Sequence, residues 1–280
     1  MQTIIQKVLV EENHSFACRY YKTPIFETNW HKHEEIEIIL IVEGFGTVLI
    51  GDYIGEYKEG DVFFIASNLP HWFRKSNQNM IGDAVVAQFK KSILGNDFLK
   101  NPELRSINNL LNKNEGLKLE KKTNTYISRK LIELEAAKGY LRFGILLDIL
   151  NHISLSKQST ILSKNFSSGI KNINPVMEDI IEYTFKQYLN QIKLSDVADI
   201  ASMSIPTFCR FFKKNIKKTY SEFIQELRIN HACKLLKEEN KTIMEICYES
   251  GYNSWAHFSK QFKKVTKRTP SSYRKEFAEE

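Results

Sequence analysis

An internal repeat in the last third of the chain constrains its fold more than any other feature. The segment FCRFFKKNIKKTYSEF starts at Phe208, and FSKQFKKVTKRTPSSY starts 50 positions later, at Phe258. Each copy continues with a second phenylalanine and a pair of lysines, and Phe223 of the first aligns with Tyr273 of the second. A repeat of this length indicates a duplicated supersecondary unit.

Each copy follows a short amphipathic segment and a turn. The first copy is preceded by LSDVADIA and SMS, and the second by TIMEICYES and GYNS. A helix, a tight turn and a second helix form the helix-turn-helix pattern. Ser204 and Ser254 are suitable N-caps for the second helix of each unit, and Pro206 lies in a first turn, where a missing N–H is tolerated. The sequence therefore predicts two helix-turn-helix units.

The phenylalanines predict which face of each second helix is buried. Phe208 and Phe212 lie one helical turn apart, as do Phe258 and Phe262, and we expect all four to be buried. The residues that then face outward are Pro206, Cys209, Arg210 and Lys213 in the first copy and Ala256, Ser259, Lys260 and Lys263 in the second. Basic residues crowd the end of each second helix with no acid among them: Lys213, Lys214, Lys217, Lys218, Lys263, Lys264, Lys267 and Arg268. A single lysine run is usually a solvated surface, but its repetition behind two helix-turn-helix patterns favours double-stranded DNA as a partner.

The last hundred residues resemble the DNA-binding domain of the AraC/XylS family of transcription regulators. The resemblance rests on LSDVADIASMS, FCRFFKK, FIQELRINHACKLL, IMEICYESGYNSWAHFSKQFKK and the closing TPSSYR. It implies two helix-turn-helix units joined by a long helix, roughly residues 221–237, with recognition helices in major-groove faces about 34 Å apart. The base-reading residues that it implies are Pro206, Cys209, Arg210, Trp255, Ala256, Ser259 and Lys260. The predicted DNA-binding residues also include Thr207, Lys213 and Lys263.

Side-chain chemistry supports only part of that assignment. Arg210 can hold guanine O6 and N7 bidentately, and Lys260 can reach a guanine. Three others offer only apolar contact, for instance to thymine methyl groups: Pro206, Cys209 and Ala256. Trp255 either contacts DNA or packs in the turn, because indoles are usually mostly buried. The lysine clusters are expected to contact phosphates without reading sequence.

The chain departs from the family pattern just past each recognition helix. Family members usually carry glycine there, where the backbone turns left-handed, but this chain has Lys217 and Lys267. A residue other than glycine at such a position costs on the order of 1 kcal/mol. The extra charge is expected to help phosphate binding.

The first hundred residues have the pattern of β structure. Short apolar or alternating runs recur, and glycine and asparagine turn signals separate them: EIEIILIVEG, GTVLIGDYI, DVFFIA and GDAVVAQF. Closely spaced strands of this kind indicate a sandwich or barrel. We therefore predict an α+β chain with a β-barrel or sandwich over residues 1–98, a helical pair over 99–156, a linker over 157–175 and a double helix-turn-helix domain over 176–280.

Helical periodicity in the second of these segments raises the question of a dimer. Ile127, Leu131 and Leu134 repeat at helical spacing, and Phe143 to Ile153 form a stretch that is apolar over most of its circumference. Such a helix needs neighbours on more than one side. Either it packs against its twin in a homodimer, the commonest kind of oligomer, or it packs beneath the barrel of its own chain.

Four residues of the barrel region have the spacing of metal ligands. His31, His33 and Glu37 lie in WHKHEEIE with Gly44 downstream, and His71 follows in GDVFFIASNLPHWF. This arrangement resembles the two motifs of the cupin barrel, in whose metal-dependent members these positions bind a divalent ion; three imidazoles and a carboxylate suit Mn, Fe, Ni or Zn. The alternative is that they are walls of an effector pocket. Trp72, next to His71, is expected near a barrel mouth, where ligands commonly bind.

Composition excludes several classes of protein. The four cysteines form no CxxC pair, which argues against a zinc ribbon or a disulfide framework and fits a reducing compartment. No signal-peptide pattern or spanning segment is evident, so we expect a cytoplasmic protein without a membrane partner. A net charge of +7 permits nucleic acid without proving it.

The leading hypothesis is a homodimeric, sequence-specific transcription regulator without enzymatic activity, switched by a small-molecule effector such as a sugar or an aromatic compound. RNA polymerase is a further candidate partner. The rival hypothesis is a metal-dependent cupin enzyme with a helical appendage, which explains the four candidate ligands but leaves the repeat unexplained.

Overall fold

The chain divides into two units that differ in secondary structure. A computed structural model describes residues 8–23, 29–76, 81–95, 97–164, 175–238 and 241–278. The first unit, residues 1–173, contains the strands and three α-helices; the second, residues 174–280, is helical throughout its described part. Among the described residues, no helix is both long and apolar enough to span a membrane.

Antiparallel strands form two sheets in the first unit. The strands are β1 (Ala17–Thr23), β2 (Ile36–Glu43), β3 (Gly46–Ile50), β4 (Tyr53–Tyr57), β5 (Val62–Ile65), β6 (His71–Lys75), β7 (Gly82–Phe89), β8 (Glu115–Leu119) and β9 (Ser159–Lys164). One sheet has the order β1-β7-β2-β5-β8-β9, and the other has the order β4-β3-β6. The predicted cupin-like barrel corresponds to these two facing sheets.

Both faces of the central strands β2, β5 and β7 are buried, which explains why these strands are largely continuous apolar runs rather than alternating ones. On β2, Ile39 and Ile41 point into the barrel and join the inner core with Phe63 and Phe73. Ile38 and its alternate neighbours point the other way, into a second core beneath the helices. Every second residue of β2 therefore lines the barrel interior, and Glu37 is one of them.

Three helices cover the outer face of the larger sheet. They are α1 (Arg105–Asn112), α2 (Lys121–Ala136) and α3 (Leu141–Leu155). The predicted buried residues of α2, which are Ile127, Leu131 and Leu134, are fully buried in one core with the sheet. Since α3 packs against α1 and α2, much of its apolar surface is covered within its own chain.

Two strands lie where the sequence predicted helix or linker. The predicted helical segment 99–156 is interrupted by β8, which pairs with β5. Its alternation is short: Leu117 and Leu119 are buried, whereas Lys118 pairs with Asp61 at 2.6 Å. The interpretation of residues 157–175 as a linker is wrong for β9, a polar strand at the sheet edge that is recognisable only from its pairing with β8. Residues 165–174 of that predicted linker lie outside the described residues.

Seven helices account for the described part of the second unit. They are α4 (Pro175–Gln187), α5 (Leu194–Ile200), α6 (Ile205–Ile216), α7 (Tyr220–Glu238), α8 (Ile243–Glu249), α9 (Trp255–Thr266) and α10 (Pro270–Ala278). The α5–α6 and α8–α9 pairs are the two helix-turn-helix units, and α7 is the long helix between them. The predicted α+β fold class, with a cupin-like region followed by two helix-turn-helix units, is confirmed.

The left-handed positions predicted at the ends of the recognition helices are present. Lys217, after α6, has φ +63°, and Lys267, after α9, has φ +62°. Each backbone N–H donates to the carbonyl four residues earlier, at 3.0 Å. Both repeats therefore end their recognition helix with the same strained lysine.

Replacing Lys217 with glycine is expected to stabilise the folded chain by about 1 kcal/mol, because glycine adopts a positive φ without a Cβ penalty. The melting temperature in circular dichroism should rise by roughly 4 °C. The control is Lys214→Gly, at an exposed position inside α6, which should destabilise by about 1 kcal/mol. Equal effects of the two substitutions would contradict this explanation.

Candidate nucleic-acid interface and barrel site

Each recognition helix of the second unit has a buried aromatic side and an exposed side. Phe208 and Phe212 of α6 and Phe258 and Phe262 of α9 are all 0% exposed. They pack edge-on against aromatic side chains of neighbouring elements, such as Tyr220 below α6. These contacts set the rotation of each helix about its own axis, and thereby fix which side chains face outward.

The predicted DNA-binding residues lie on the outward side, with one exception. Exposed on α6 are Pro206, Thr207, Cys209, Arg210 and Lys213; exposed on α9 are Trp255, Ala256, Lys260 and Lys263. Ser259 is only half-buried rather than fully exposed. Trp255 combines the two alternatives foreseen for it, since its ring lies 5.7 Å from that of Phe258 while 39% of the residue is exposed.

Side-chain hydrogen bonds organise the start of α6. Ser204 and Ser254 occupy the expected N-cap positions, but neither makes a side-chain capping bond. The Ser204 hydroxyl instead lies 2.9 Å from the Thr207 hydroxyl, to which Arg210 Nη2 donates at 3.4 Å. Thr207 therefore orients the arginine that is best suited to guanine.

The basic clusters behind the recognition helices are partly neutralised. Lys218 Nζ lies 2.6 Å from Glu226 Oε2, and Arg268 pairs with Glu276. These two ion pairs have the same 50-position offset as the repeat, so the duplication extends beyond the recognition helices. Both acids lie outside the basic runs, on the following helix, which is why the runs read as uninterrupted positive charge.

In the first unit, the three histidines and the glutamate predicted from their spacing come together at one end of the barrel interior. A backbone bridge joins His31 to His71, with N–O distances of 2.9 and 3.2 Å. One ring nitrogen from each of His31, His33 and His71 lies within 4.8 Å of the others. Glu37 joins them through Oε2, 3.2 Å from His33 Nε2, and Oε1, 3.7 Å from His71 Nε2. All four residues are at most 4% exposed.

Backbone carbonyls fix the tautomers of these histidines. The Nδ1 atoms of His31, His33 and His71 lie 2.7, 3.0 and 2.9 Å from the carbonyl oxygens of Asn29, Glu35 and Leu69. Since a carbonyl only accepts, each Nδ1 carries a proton, and each neutral ring presents the lone pair of Nε2. His71 Nε2 is buried without a hydrogen-bond partner and faces a carboxylate oxygen, which is also an acceptor.

Electrostatics within the cluster keep the carboxylate charged and two rings neutral. Burial by itself raises the pKa of Glu37, but His71 and His33 lower it to about 2. Burial and the neighbouring His31 lower the pKa of His71 to about 3, and burial likewise lowers the pKa of His31. Burial lowers the pKa of His33, but the contact with Glu37 outweighs it and raises that pKa above its usual value. The cluster thus holds one anion among imidazole nitrogens.

Gln88 of β7 is a site residue that the sequence analysis missed. Its Nε2 donates to Glu37 Oε2 at 2.7 Å and lies 3.5 Å from His33 Nε2. It belongs to no motif, and only the pairing of Gln88 with Glu37 across β7 and β2 brings it to the cluster. Trp72, in contrast, is predicted at the site but points to the opposite face of β6 from His71; it is 8% exposed and lies beside the Arg74 guanidinium.

Comparison with known proteins assigns both regions. Residues 197–276 match a helix-turn-helix domain family, and residues 24–80 match a cupin domain family. The HTH-type transcriptional regulator YdeC of Bacillus subtilis is 26% identical over 92% of this chain and 91% of its own length. The HTH-type transcriptional activator RhaR of Mannheimia succiniciproducens is 23% identical over 92% of this chain and 90% of its own length. With two helix-turn-helix units behind a cupin domain, and with HTH-type transcriptional regulators as relatives over most of its length, the chain is an AraC-type DNA-binding transcription regulator with a cupin domain.

Proposed function

We propose that the outward sides of α6 and α9 read two separate blocks of DNA sequence, and that the barrel site of the first unit senses the signal. The observation that carries the first part is the repeated geometry: each recognition helix buries two phenylalanines and exposes matching positions, such as Arg210 and Lys260 or Lys213 and Lys263. Arg210 and Lys260 supply the hydrogen-bond donors for guanine. Lys213 and Lys263, further along each helix, are assigned to phosphates.

Replacing Arg210 and Lys260 together with alanine is expected to remove most of the sequence preference, at about 1–3 kcal/mol for each lost base contact. The measurement is fluorescence anisotropy with a duplex selected from a random library and with a scrambled duplex, at two salt concentrations. Lys213→Ala should weaken binding to both duplexes alike and reduce the salt slope by about 1.

The control for these variants is Lys186→Ala, which removes an exposed lysine of α4 that pairs with Glu182. It should leave affinity and preference unchanged. A double variant that keeps the wild-type ratio between selected and scrambled DNA would refute the assignment of Arg210 and Lys260.

The barrel cluster fits a divalent metal ion, with His31, His33, Glu37 and His71 as the residues that would hold it. The supporting observation is the buried, unpartnered Nε2 of His71 opposite a charged carboxylate. Two acceptors facing each other without a proton between them are stabilised by a cation. The carbonyl contacts at the three Nδ1 atoms are those that metal-ligating histidines usually make, and Gln88 similarly orients Glu37.

Protein stripped with chelator and then supplied with Mn, Fe, Ni or Zn is expected to retain stoichiometric metal through gel filtration and to melt at a higher temperature. At a metal concentration about 100 times the dissociation constant, the stabilisation is about 2.7 kcal/mol. His71→Gln and Glu37→Gln should lose both effects, whereas His152→Gln, at an exposed histidine of α3, should keep them. Equal metal content in all variants would contradict the site.

The ion, or an organic effector that binds with it, would act by changing the populations of two states of the regulator. A ligand can do so only if it binds those states with different affinity. The relatives named above are transcription regulators, so we propose that the barrel is a sensor and that the chain is not a cupin enzyme. Stoichiometric metal without turnover fits this proposal, whereas turnover of a substrate would favour the enzyme.

The predicted homodimer would use the exposed apolar side chains of α2, α3 and the turn that joins them. Those residues are Ile132, Tyr140, Leu141 and Leu155, from 52% to 83% exposed. Leu141→Glu is expected to shift the mass measured by light scattering from dimer to monomer, because a buried carboxylate without a partner disfavours association. Leu9→Glu, at a 67% exposed leucine outside this surface, is the control. A monomeric wild type would refute the dimer.

A further inference from the structure

One arginine of the helix between the two helix-turn-helix units binds the loop that leads into the first helix-turn-helix unit. Arg228 is half-buried near the middle of α7. Its Nε donates to the carbonyl of Tyr188 at 2.6 Å, and its Nη2 donates to the carbonyl of Asn190 at 2.7 Å. Both carbonyls belong to the loop between α4 and α5. The planar fork of a guanidinium can make this double contact, which a lysine ammonium cannot reproduce.

The same guanidinium lies against the turn of the second helix-turn-helix unit. Its central carbon is 5.7 Å from the ring centroid of Tyr252, which is buried in the turn between α8 and α9. The Tyr252 hydroxyl donates to the carbonyl of Gln225, one helical turn before Arg228, at 3.5 Å. The turn of the second helix-turn-helix unit therefore packs against the same segment of α7 that binds the loop before the first helix-turn-helix unit.

Gly251 lets the two helix-turn-helix units approach each other directly. Its φ is +78°, and a Cβ atom built on it would lie 2.6 Å from the Leu189 carbonyl oxygen and 3.1 Å from Arg228 Nε. The first distance is shorter than real Cβ atoms tolerate, and the obstructing atom is backbone. Any side chain here would push the loop between α4 and α5 away from the turn between α8 and α9.

We propose that Arg228 and Gly251 form a joint that fixes the separation and rotation between α6 and α9, and so makes DNA binding selective for the spacing of the two sequence blocks. This inference rests on the proposed function, in which both helices read DNA. One additional base pair moves a block by about 3.4 Å along the duplex and rotates it by roughly 34°. A rigid joint cannot follow that displacement, whereas a loosened joint can.

The test uses the full chain and a duplex that it selects from a random library. Three further duplexes carry one base pair more between the blocks, one base pair fewer, or a scrambled second block. Arg228→Lys and Gly251→Ala disturb the joint from its two sides. The matched control is Arg274→Ala. Arg274 Nη2 of α10 donates to the Lys241 carbonyl just before α8, at 2.7 Å, and this contact does not involve the first helix-turn-helix unit. Circular dichroism melting checks that each protein is folded.

Wild type is expected to bind the altered spacings at least about tenfold more weakly than the selected one, as for the loss of one good base contact. In Arg228→Lys and Gly251→Ala this ratio should fall below about threefold, while affinity for the duplex with a scrambled block stays within about twofold of wild type. That combination separates a joint from a general loss of binding, which would lower all affinities together.

Two results overturn the inference alone: folded joint variants that keep the wild-type spacing ratio, or an Arg274→Ala variant that loses it equally. A wild type that selects no two-block duplex overturns the proposed two-block function as well. The outcomes therefore distinguish failure of the joint from failure of the reading helices.

Discussion

Burial of two phenylalanines on each recognition helix is the constraint on which the DNA-binding unit depends. A helix that carries only short polar and basic side chains on its outer side has little reason to hold one rotation about its axis. Phe208 and Phe212, packed edge-on against Tyr220 and Phe223, supply that reason for α6. Phe258, Phe262 and Tyr273 do the same for α9. Each fully buried aromatic side chain contributes about 1.5–3 kcal/mol relative to exposure, so the outward faces are fixed before any DNA is present.

The barrel follows the opposite principle, because polar residues are buried there at one end of an apolar interior. Burying an isolated carboxylate is strongly unfavourable, and the cluster offsets that cost with imidazoles, the amide of Gln88 and fixed backbone carbonyls. The lone pair of His71 Nε2 nevertheless faces an oxygen of Glu37, and that nitrogen has no hydrogen-bond partner. For the cation that we propose, the site would already be organised before binding, which would lower the reorganisation that binding requires.

The sequence predicted most of the fold where its signal was periodic or repeated. The helix-turn-helix units followed from a repeat whose two copies support each other. The long α7 and the left-handed lysines at positions 217 and 267 followed from the family resemblance. The prediction was wrong for β9 because a polar edge strand has no periodicity of its own and exists only through its partner β8. Gln88 was missed for a related reason: its role depends on the register of β7 against β2, which no local pattern encodes. Ion pairs such as Lys218–Glu226 were equally hidden, since this one joins a turn residue to a side chain of the next helix.

In both helix-turn-helix units, the residues that hold the recognition helix in place are different from those that face outward. Lys218–Glu226 and Arg268–Glu276 join the turn after each recognition helix to the helix that follows, and these residues lie outside both proposed reading surfaces. The residues between the phenylalanines differ between the copies, with Cys209 and Arg210 in one and Ser259 and Lys260 in the other. The residues that position each recognition helix can therefore stay the same while the residues that face outward change. New base preferences could be introduced in one unit by exchanging outward residues alone, leaving the other unit and the hydrophobic interior as they are.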